Sequence, residues 1–361
     1  MKQTNTLSPA SFLRRLFLFA FILLFLAGSM MAVFDPYQHY RQSPVPYVVH
    51  PRFCLSGLTK HADYDAILIG SSMAQNFNIP EMEEVFGGEI LKATKGGLTP
   101  WEALKIMRWA QEASKASRIY LTLEPIYFNS NSTKDDYFPD YLANDTVTDD
   151  LSYLFGYEAW TLFLPIDLAI IGGNLTGITL PSSIQKNTNP DLSGRWAESA
   201  VYPGEEALVN NYLNGEGRVS AQHAEGMAER MKQNFDRWLS SEPFDADTEY
   251  VYFSAPYSIL YWTHTKREGS FDALMEFRTY FFERLNEYDN VKVYDFQALP
   301  AVFDLSLYKD VSHYSHTVND EMVRLLAAEE CLATQEAVSE NTRLIRAGVD
   351  ALCAKYPALM S

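Results

Sequence analysis

Two short motifs, far apart in the chain, carry side chains that can perform acyl-transfer chemistry. Ser71 and Ser72 follow a short apolar run that stops at Gly70. A serine hydroxyl becomes an effective nucleophile only when a neighbouring base removes its proton. Asp310 and His313 lie three residues apart, and a carboxylate beside an imidazole can fix the tautomer whose other ring nitrogen accepts that proton. Together the two motifs predict a nucleophile and its base.

Each motif has a plainer interpretation when it is taken alone. The two serines also fit a loop in which Gly70 makes the turn and a hydroxyl caps the next segment. A DxxH pair is common among surface residues and helix caps, and His316 shows how readily another histidine occurs nearby. The chemistry therefore depends on whether the fold brings the two motifs together.

Five apolar or β-branched runs predict the elements that would do so. A short run without polar alternation is typical of a strand buried on both faces of a parallel sheet. Intervening segments with helical spacing imply parallel pairing through right-handed crossovers, hence a three-layer α/β fold. Ligands of such sheets bind at the carboxyl ends of the strands, where Ser72 would lie. The predicted strands are Ala66 to Ile69, Ile90 to Thr94, Arg118 to Leu123, Glu249 to Ala255 and Val291 to Phe296.

The alternation of strands and helices stops after the third strand. Residues from about 128 to 236 are rich in aromatics and include a Gly/Asn/Pro/Ser-rich run from Gly172 to Arg195. We interpret them as a large insertion that leaves the carboxyl end of the third strand. An insertion at that edge would overhang the site and is a natural place for substrate selection.

The net charge and the cysteine spacing argue against nucleic-acid binding and against a cysteine metal site. The chain has 46 acidic and 29 basic residues, a formal net charge of −17, and no visible basic stripe, which argues against nucleic acid as a partner. Cys54, Cys331 and Cys353 show neither metal-ligand spacing nor a CxxC pair. We expect buried free thiols, no metal and no cofactor.

The N-terminal region contains one apolar segment that can cross a bilayer. Leu16 to Phe34 is 19 residues without a charge, and at about 1.5 Å per residue it matches a hydrocarbon core roughly 30 Å thick. Lys2, Arg14 and Arg15 precede it and Asp35 follows, so the positive-inside rule predicts a cytoplasmic N-terminus and an extracytoplasmic domain. A cleaved signal peptide is the alternative, but the segment is long for one.

The sequence thus predicts five regions along its 361 residues. They are a cytoplasmic tail (1–15), a transmembrane anchor (16–34), an extended connector (35–60), an α/β domain (61–330) and a C-terminal helical tail (331–361).

Taken together, the motifs resemble the SGNH/GDSL hydrolase superfamily, in particular membrane-anchored bacterial members related to polysaccharide O-acetylation. The resemblance covers roughly Tyr64 to Leu326 without the insertion and implies a flavodoxin-like sheet. It assigns the nucleophile to Ser72, the base to His313 and the orienting carboxylate to Asp310. It also implies an oxyanion hole formed by the backbone N–H groups of Ser72 and of Gly97, within the sequence KGGLTPWE.

Two positions depart from the family pattern. Ser71 stands where an Asp usually precedes the nucleophile. Glu124 and Pro125 stand where the third block would have Gly and Asn. A missing oxyanion donor costs about 2.7 to 4 kcal/mol of transition-state stabilisation, so hydrolysis of a simple ester would be slow.

An aromatic segment after the fourth strand suggests a substrate surface. Tyr257, Tyr261 and Trp262 can stack on sugar rings, as in polysaccharide-modifying members of the family, although core aromatics would look the same.

These observations lead to two functional hypotheses. The first is a single-pass esterase or O-acyltransferase that acts outside the cytoplasm on acyl groups, chiefly acetyl, of cell-envelope polysaccharide. The resemblance also implies a multi-span membrane acyltransferase as a partner. The second is a catalytically inactive SGNH fold that binds glycan or assembles an envelope complex, which the missing third block motivates.

Overall fold

A computed structural model describes residues 8–42, 50–130, 137–144, 146–179, 181, 194–215, 224–241 and 244–360. The chain forms two compact units. One, the helical unit, combines Met1–His61 with Phe138–Pro190, and the other, the sheet unit, combines Ala62–Tyr137 with Asp191–Ser361.

The sheet unit is built on five parallel strands in the order β2-β1-β3-β4-β5. The chain moves from β1 to one side for β2 and then to the other side for β3. This order places a topological switch point between β1 and β3, where open α/β sheets form a crevice for ligands. The strands are β1 (Ala66–Gly70), β2 (Ile90–Thr94), β3 (Arg118–Leu121), β4 (Glu249–Ser254) and β5 (Val291–Asp295).

The predicted α/β class and all five predicted strands are confirmed, with ends that agree to within two residues. Every residue of β1 and β2 is buried, as expected for runs without polar alternation. The register aligns Gly70 at the end of β1 with Thr94 at the end of β2. The carboxyl ends of these strands therefore meet at one edge of the sheet.

Helices connect the strands and cover the sheet. Thr99 and Glu102 form a reciprocal capping box at the start of the helix after β2. The described helices of the sheet unit are Ile79–Phe86, Pro100–Ala113, Glu205–Leu213, Met227–Leu239, Ile259–Arg267, Phe271–Leu285, Pro300–Phe303, His316–Ala327 and Gln335–Lys355, with short 3₁₀ turns at Pro125–Asn129, Trp196–Ser199, Leu305–Leu307 and Pro357–Met360.

A buried ion pair joins three elements of this unit. Arg278, on helix Phe271–Leu285, donates to Asp295 at the end of β5, and each residue is 2% exposed. The same guanidinium donates to Gln297 Oε1 at 2.7 Å and to Thr342 Oγ1 at 2.7 Å on helix Gln335–Lys355. Asn341 also donates to the acidic partner of the pair, at 2.8 Å from Asp295 Oδ2. Such a network suits a buried charge, because its polar atoms have partners.

The helical unit begins with an apolar helix over Pro9–Phe34, which is long and apolar enough to cross a membrane; a second helical stretch, Ala159–Thr176, also meets that length and composition. Met31 packs in a core with Tyr153 and Phe163. The helices of this unit are Pro9–Phe34, Pro51–His61, Asp140–Ala143, Leu151–Leu154, the π-helical turn Ala159–Phe163 and Leu164–Thr176.

Asp35 ends the first helix in a left-handed conformation (φ 47°). Its buried carboxylate accepts hydrogen bonds from the backbone N–H groups of His39, Tyr40 and Arg41, at 2.9 to 3.1 Å, and from the Tyr153 hydroxyl at 2.8 Å. These bonds fix the path of the chain as it leaves the helix.

The prediction of an extended connector over residues 35–60 is wrong for its second part. Pro51–His61 is an α-helix in which seven consecutive residues, from Phe53 to Thr59, are buried. Pro51 favours a helix start because the first turn does not need its N–H. Residues 43–49 lie outside the described part of the chain.

Residues between β3 and β4 contain helices and no strand in their described part. Some of them belong to the helical unit and others to the sheet unit. That they form an insertion into an SGNH-type domain stays a prediction, as do the other predicted domain boundaries.

Candidate active site

The site begins where β1 ends. A Cβ atom on Gly70 would lie 2.3 Å from Thr122 Cγ2 and 2.6 Å from Ala74 Cβ, so only glycine fits between the neighbouring strand end and the turn. Ser72 is half-buried in this turn. Buried Lys92 of β2 donates to the carbonyl oxygens of Gln75 at 2.9 Å and Phe77 at 3.2 Å. The turn that presents Ser72 is therefore fixed from both sides.

The second motif lies on a tight hairpin. Tyr308 and Tyr314 form an isolated antiparallel bridge, and Lys309 N–H donates to the carbonyl of His313 at 2.9 Å. Within the hairpin, Asp310 Oδ1 accepts the backbone N–H groups of Ser312 and His313, each at 2.9 Å. Both side chains of the DxxH pair thus point to one side, while the next helix begins only at His316.

The structure brings the two motifs together. Ser72 Oγ lies 2.9 Å from His313 Nε2, although the two residues are 241 positions apart. His313 Nδ1 lies 3.0 Å from Asp310 Oδ1 and 2.9 Å from Oδ2. This is the geometry of a Ser-His-Asp triad, in which the carboxylate holds the imidazole so that its other nitrogen faces the hydroxyl.

Two hydrogen bonds tie the serine turn to the histidine hairpin and to the helix that follows it. The carbonyl oxygen of Met73, next to Ser72, accepts the Tyr314 hydroxyl at 3.1 Å and the Asn319 side-chain amide at 3.2 Å. Tyr314 is itself the neighbour of His313. The short contact between Ser72 and His313 is therefore supported by hydrogen bonds to the backbone carbonyl next to Ser72.

Electrostatics keep the orienting carboxylate ionised. Burial by itself raises the pKa of Asp310, but hydrogen bonds and charge from His313, together with the two backbone N–H groups, outweigh it and hold the pKa below its ordinary value. Asp310 therefore stays negatively charged at neutral pH. A negative partner favours the positively charged imidazolium that forms when His313 accepts a proton.

Glu124 lies beside the triad, at the carboxyl end of β3. Its Oε1 accepts the Ser71 hydroxyl, and its Oε2 accepts the Tyr257 hydroxyl at 2.5 Å. Burial raises the pKa of Glu124, and the bonds from Ser71 and Tyr257 and the charge of His313 only partly offset this effect. The residue that departs from the family pattern is thus part of the site.

The glycine loop after β2 lies at the same edge. Gly97 has a positive φ of 64°, which glycine adopts without strain, and a Cβ on it would lie 3.5 Å from the Tyr127 hydroxyl. Lys95 anchors the loop through an ion pair with Glu102 at 2.8 Å. The oxyanion role of Gly97 stays a prediction.

A pocket of about 400 Å³ opens in front of the triad. Its described lining includes Ser72, His313, Glu124 and the predicted substrate residues Tyr257 and Tyr261. Trp262 is not in that lining. It is 3% exposed and packs edge-on against Phe271 in the core, so the sugar-stacking role predicted for Trp262 is wrong.

Sequence reasoning missed two neighbours of the site. Trp196 places its ring edge-on against His313, with 5.4 Å between ring centroids. It lies just after the polar run that was interpreted as part of an insertion, and no motif marks it. Tyr127 contributes to the pocket from the 3₁₀ turn after β3. Its place three residues after Glu124, close to a strand end, was the available signal.

No protein-family model matches this chain, and no curated protein matches it. In the described part of the chain, no group of three or more His, Cys, Asp or Glu side chains is placed to hold a metal ion.

Proposed function

We propose that this protein is a serine esterase or O-acyltransferase of the SGNH type that acts on acyl groups of cell-envelope polysaccharide. One observation carries the proposal: Ser72 Oγ lies 2.9 Å from His313 Nε2 at the wall of an open pocket, while Asp310 holds the other ring nitrogen. An acetyl ester of a sugar is the expected substrate. Reaction of Ser72 with a fluorophosphonate probe tests the proposal, since such probes require an activated serine.

The reaction would proceed through a covalent acyl-enzyme. Ser72 Oγ attacks the ester carbonyl while His313 Nε2 takes the hydroxyl proton, and the tetrahedral intermediate then expels the alkoxide, which His313 protonates. Water or a second sugar hydroxyl then attacks the acyl carbonyl of the acyl-serine, and the bond to Ser72 Oγ breaks. His313 takes the proton from the attacking hydroxyl and gives it to Ser72 Oγ. Water as acceptor makes the protein an esterase, and a sugar hydroxyl makes it a transferase.

The negative charge on the tetrahedral oxygen would be stabilised by the backbone N–H groups of Ser72 and Gly97. Glu124 cannot donate a hydrogen bond while it is ionised, so it does not replace the amide donor that the family's third block supplies. We therefore expect slow turnover of simple esters.

Replacing Gly97 tests this oxyanion assignment. Gly97→Pro removes the N–H donor and is expected to lower acyl turnover by roughly 10²-fold or more. Gly97→Ala is the control, because alanine is also strained at this positive φ but keeps the donor, and it should retain far more activity. Ester-hydrolysis kinetics on the folded variants measure both, and equal losses in the two variants would contradict the assignment.

We further propose that helix Pro9–Phe34 anchors the chain in the cell membrane, with the sheet unit on the extracytoplasmic (periplasmic) side. Arg14 and Arg15 near the start of the helix and Asp35 at its end support this orientation. A multi-span membrane acyltransferase is a fitting partner, since it could deliver acyl groups across the bilayer.

An alkaline phosphatase fused to the C-terminus tests this topology. Alkaline phosphatase folds to an active form only outside the cytoplasm, because it needs disulfides, so the fusion is expected to be active. A fusion after Arg15, which ends before the apolar segment, is the control and should be inactive. An inactive C-terminal fusion that is expressed and membrane-bound would contradict the envelope role.

A second candidate function is a catalytically inactive subunit that binds glycan. The presence of Glu124 where the family has an amide donor favours it. A folded protein that binds glycan but whose serines do not react with the probe would support this alternative.

A further inference from the structure

The pocket in front of Ser72 is small and strongly biased in its chemistry. At about 400 Å³ it can hold a compact group next to the scissile ester, whereas an oligosaccharide would extend beyond it. Among the described residues that line it there is no lysine or arginine, but there are two carboxylates, Glu124 and Glu268. An anionic group would therefore be repelled.

Glu124 has the bonding pattern of a carboxylate ready for a further partner. Each oxygen accepts one hydroxyl, from Ser71 or from Tyr257. A carboxylate oxygen has two lone-pair sites, so each oxygen can accept another donor. Burial raises the pKa of Glu124, and an incoming cation would oppose that effect, because the low local dielectric strengthens its attraction to the carboxylate.

The aromatic side chains of the pocket favour the same kind of ligand. Tyr257 and Tyr261 stack with 4.4 Å between ring centroids, and Tyr127 joins them in the lining. Burial, followed by the charges of Glu124 and Glu102, raises the pKa of Tyr127 to about 12, so its phenol is neutral. Tyrosine rings carry negative potential on their faces and attract ammonium groups, most strongly in water-poor sites.

We propose that this pocket recognises an ammonium group on the substrate, with Glu124 as the specificity-determining anion and the tyrosines as its aromatic walls. The inference rests on the proposed function, because it names the substrate class of the same site: an ester that carries a protonated amine or quaternary ammonium close to its carbonyl. The cation can belong to the acyl group or to the alcohol.

Pairs of esters that differ in charge but hardly in shape test the proposal on the detergent-solubilised full chain. In the first pair the charge is on the alcohol: acetylcholine is compared with the neutral 3,3-dimethylbutyl acetate. In the second pair the charge is on the acyl group: alanine methyl ester is compared with the neutral methyl isobutyrate. An ammonium group also activates the ester carbonyl, so each kcat/KM is divided by the rate constant for hydroxide-catalysed hydrolysis of the same ester. After this correction we expect the charged member of at least one pair to have a value roughly tenfold higher or more. Equal values in both pairs would overturn the proposal.

Two substitutions locate the preference. Glu124→Gln keeps an acceptor oxygen for its hydroxyl partners but removes the charge, and the ratio of charged to neutral kcat/KM should fall at least fivefold, while the tyrosine walls remain. Glu283→Gln is the matched control, since exposed Glu283 lines a different pocket of the sheet unit, and the ratio should stay at the parent value. A ratio that Glu124→Gln leaves unchanged would contradict the assignment to this side chain.

Binding without turnover separates this inference from the proposed reaction. Tetramethylammonium chloride is titrated by calorimetry into the folded Ser72→Ala protein, with tert-butanol as the neutral control and sodium chloride as the salt control. We expect binding of tetramethylammonium alone, weakened at least fivefold when Glu124→Gln is added. If the parent cleaves no ester but this binding occurs, the reaction fails and the cation site stands. If no tetramethylammonium binds, the cation site is wrong whatever the esterase assay gives.

Discussion

A fluorophosphonate probe is expected to label Ser72 in the detergent-solubilised protein, and His313→Ala is expected to abolish that labelling. The reason is the 2.9 Å contact between Ser72 Oγ and His313 Nε2, the base that would deprotonate the serine. Removing the nucleophile or the base of such a triad lowers the rate by about 10⁶-fold in a well-studied protease, so loss within the assay time should be complete. Asp310→Asn should retain a small fraction, because it no longer enforces the imidazole tautomer.

Neighbouring residues supply matched controls for this experiment. His316→Ala removes a histidine only three residues further on, and labelling should persist because no bond joins that ring to Ser72 among the described contacts. Ser71→Ala should also keep reacting, since the buried Ser71 hydroxyl is bonded to Glu124 and not to His313. Peptide mapping locates the adduct. An adduct on Ser71 would shift the assignment by one residue, and a folded protein without any adduct would favour the glycan-binding alternative.

The second large effect concerns stability. Arg278→Met leaves the buried Asp295 carboxylate without its cationic partner, and breaking such a pair from one side typically costs about 3 to 5 kcal/mol. Urea unfolding followed by tryptophan fluorescence measures the change in the free energy of unfolding. The fluorescence reports mainly on the sheet unit, because five of the six tryptophans lie in it and only Trp160 lies in the helical unit.

Arg343→Met is the control for this prediction. Arg343 pairs with Glu340 on the exposed face of helix Gln335–Lys355. Water and salt screen an exposed pair of this kind, so its contribution to stability is slight and the loss should be small. Similar losses in Arg278→Met and Arg343→Met would show that the buried network does not carry the stability assigned to it.

Local sequence patterns were sufficient to predict the sheet. Each strand is a short apolar run bounded by turn residues, and the segments with helical spacing between the strands contain helices. Ser72 could be placed at the end of β1 because Gly70 stops the apolar run. The pairing of Ser72 with His313 could be proposed because parallel strands bring their carboxyl ends to one edge.

Other features depend on packing that no local pattern encodes. Trp262 and Tyr261 are adjacent on one helix, yet one faces the core and the other lines the pocket. The helix Pro51–His61 was missed because its Pro-, Tyr- and His-rich surroundings show no apolar period. Glu124 was recognised only as a departure from a family pattern, since its partners Ser71 and Tyr257 lie 53 and 133 residues away.

The bond between the Met73 carbonyl and the Tyr314 hydroxyl has a consequence for the timing of activation. The serine turn is made early in synthesis, whereas the base arrives 241 residues later on a hairpin that must dock onto it. Closing so long a loop is slow compared with forming the local turns. A chain still being synthesised would therefore carry Ser72 without its base, and the proposed acyl transfer could begin only after the C-terminal hairpin has docked.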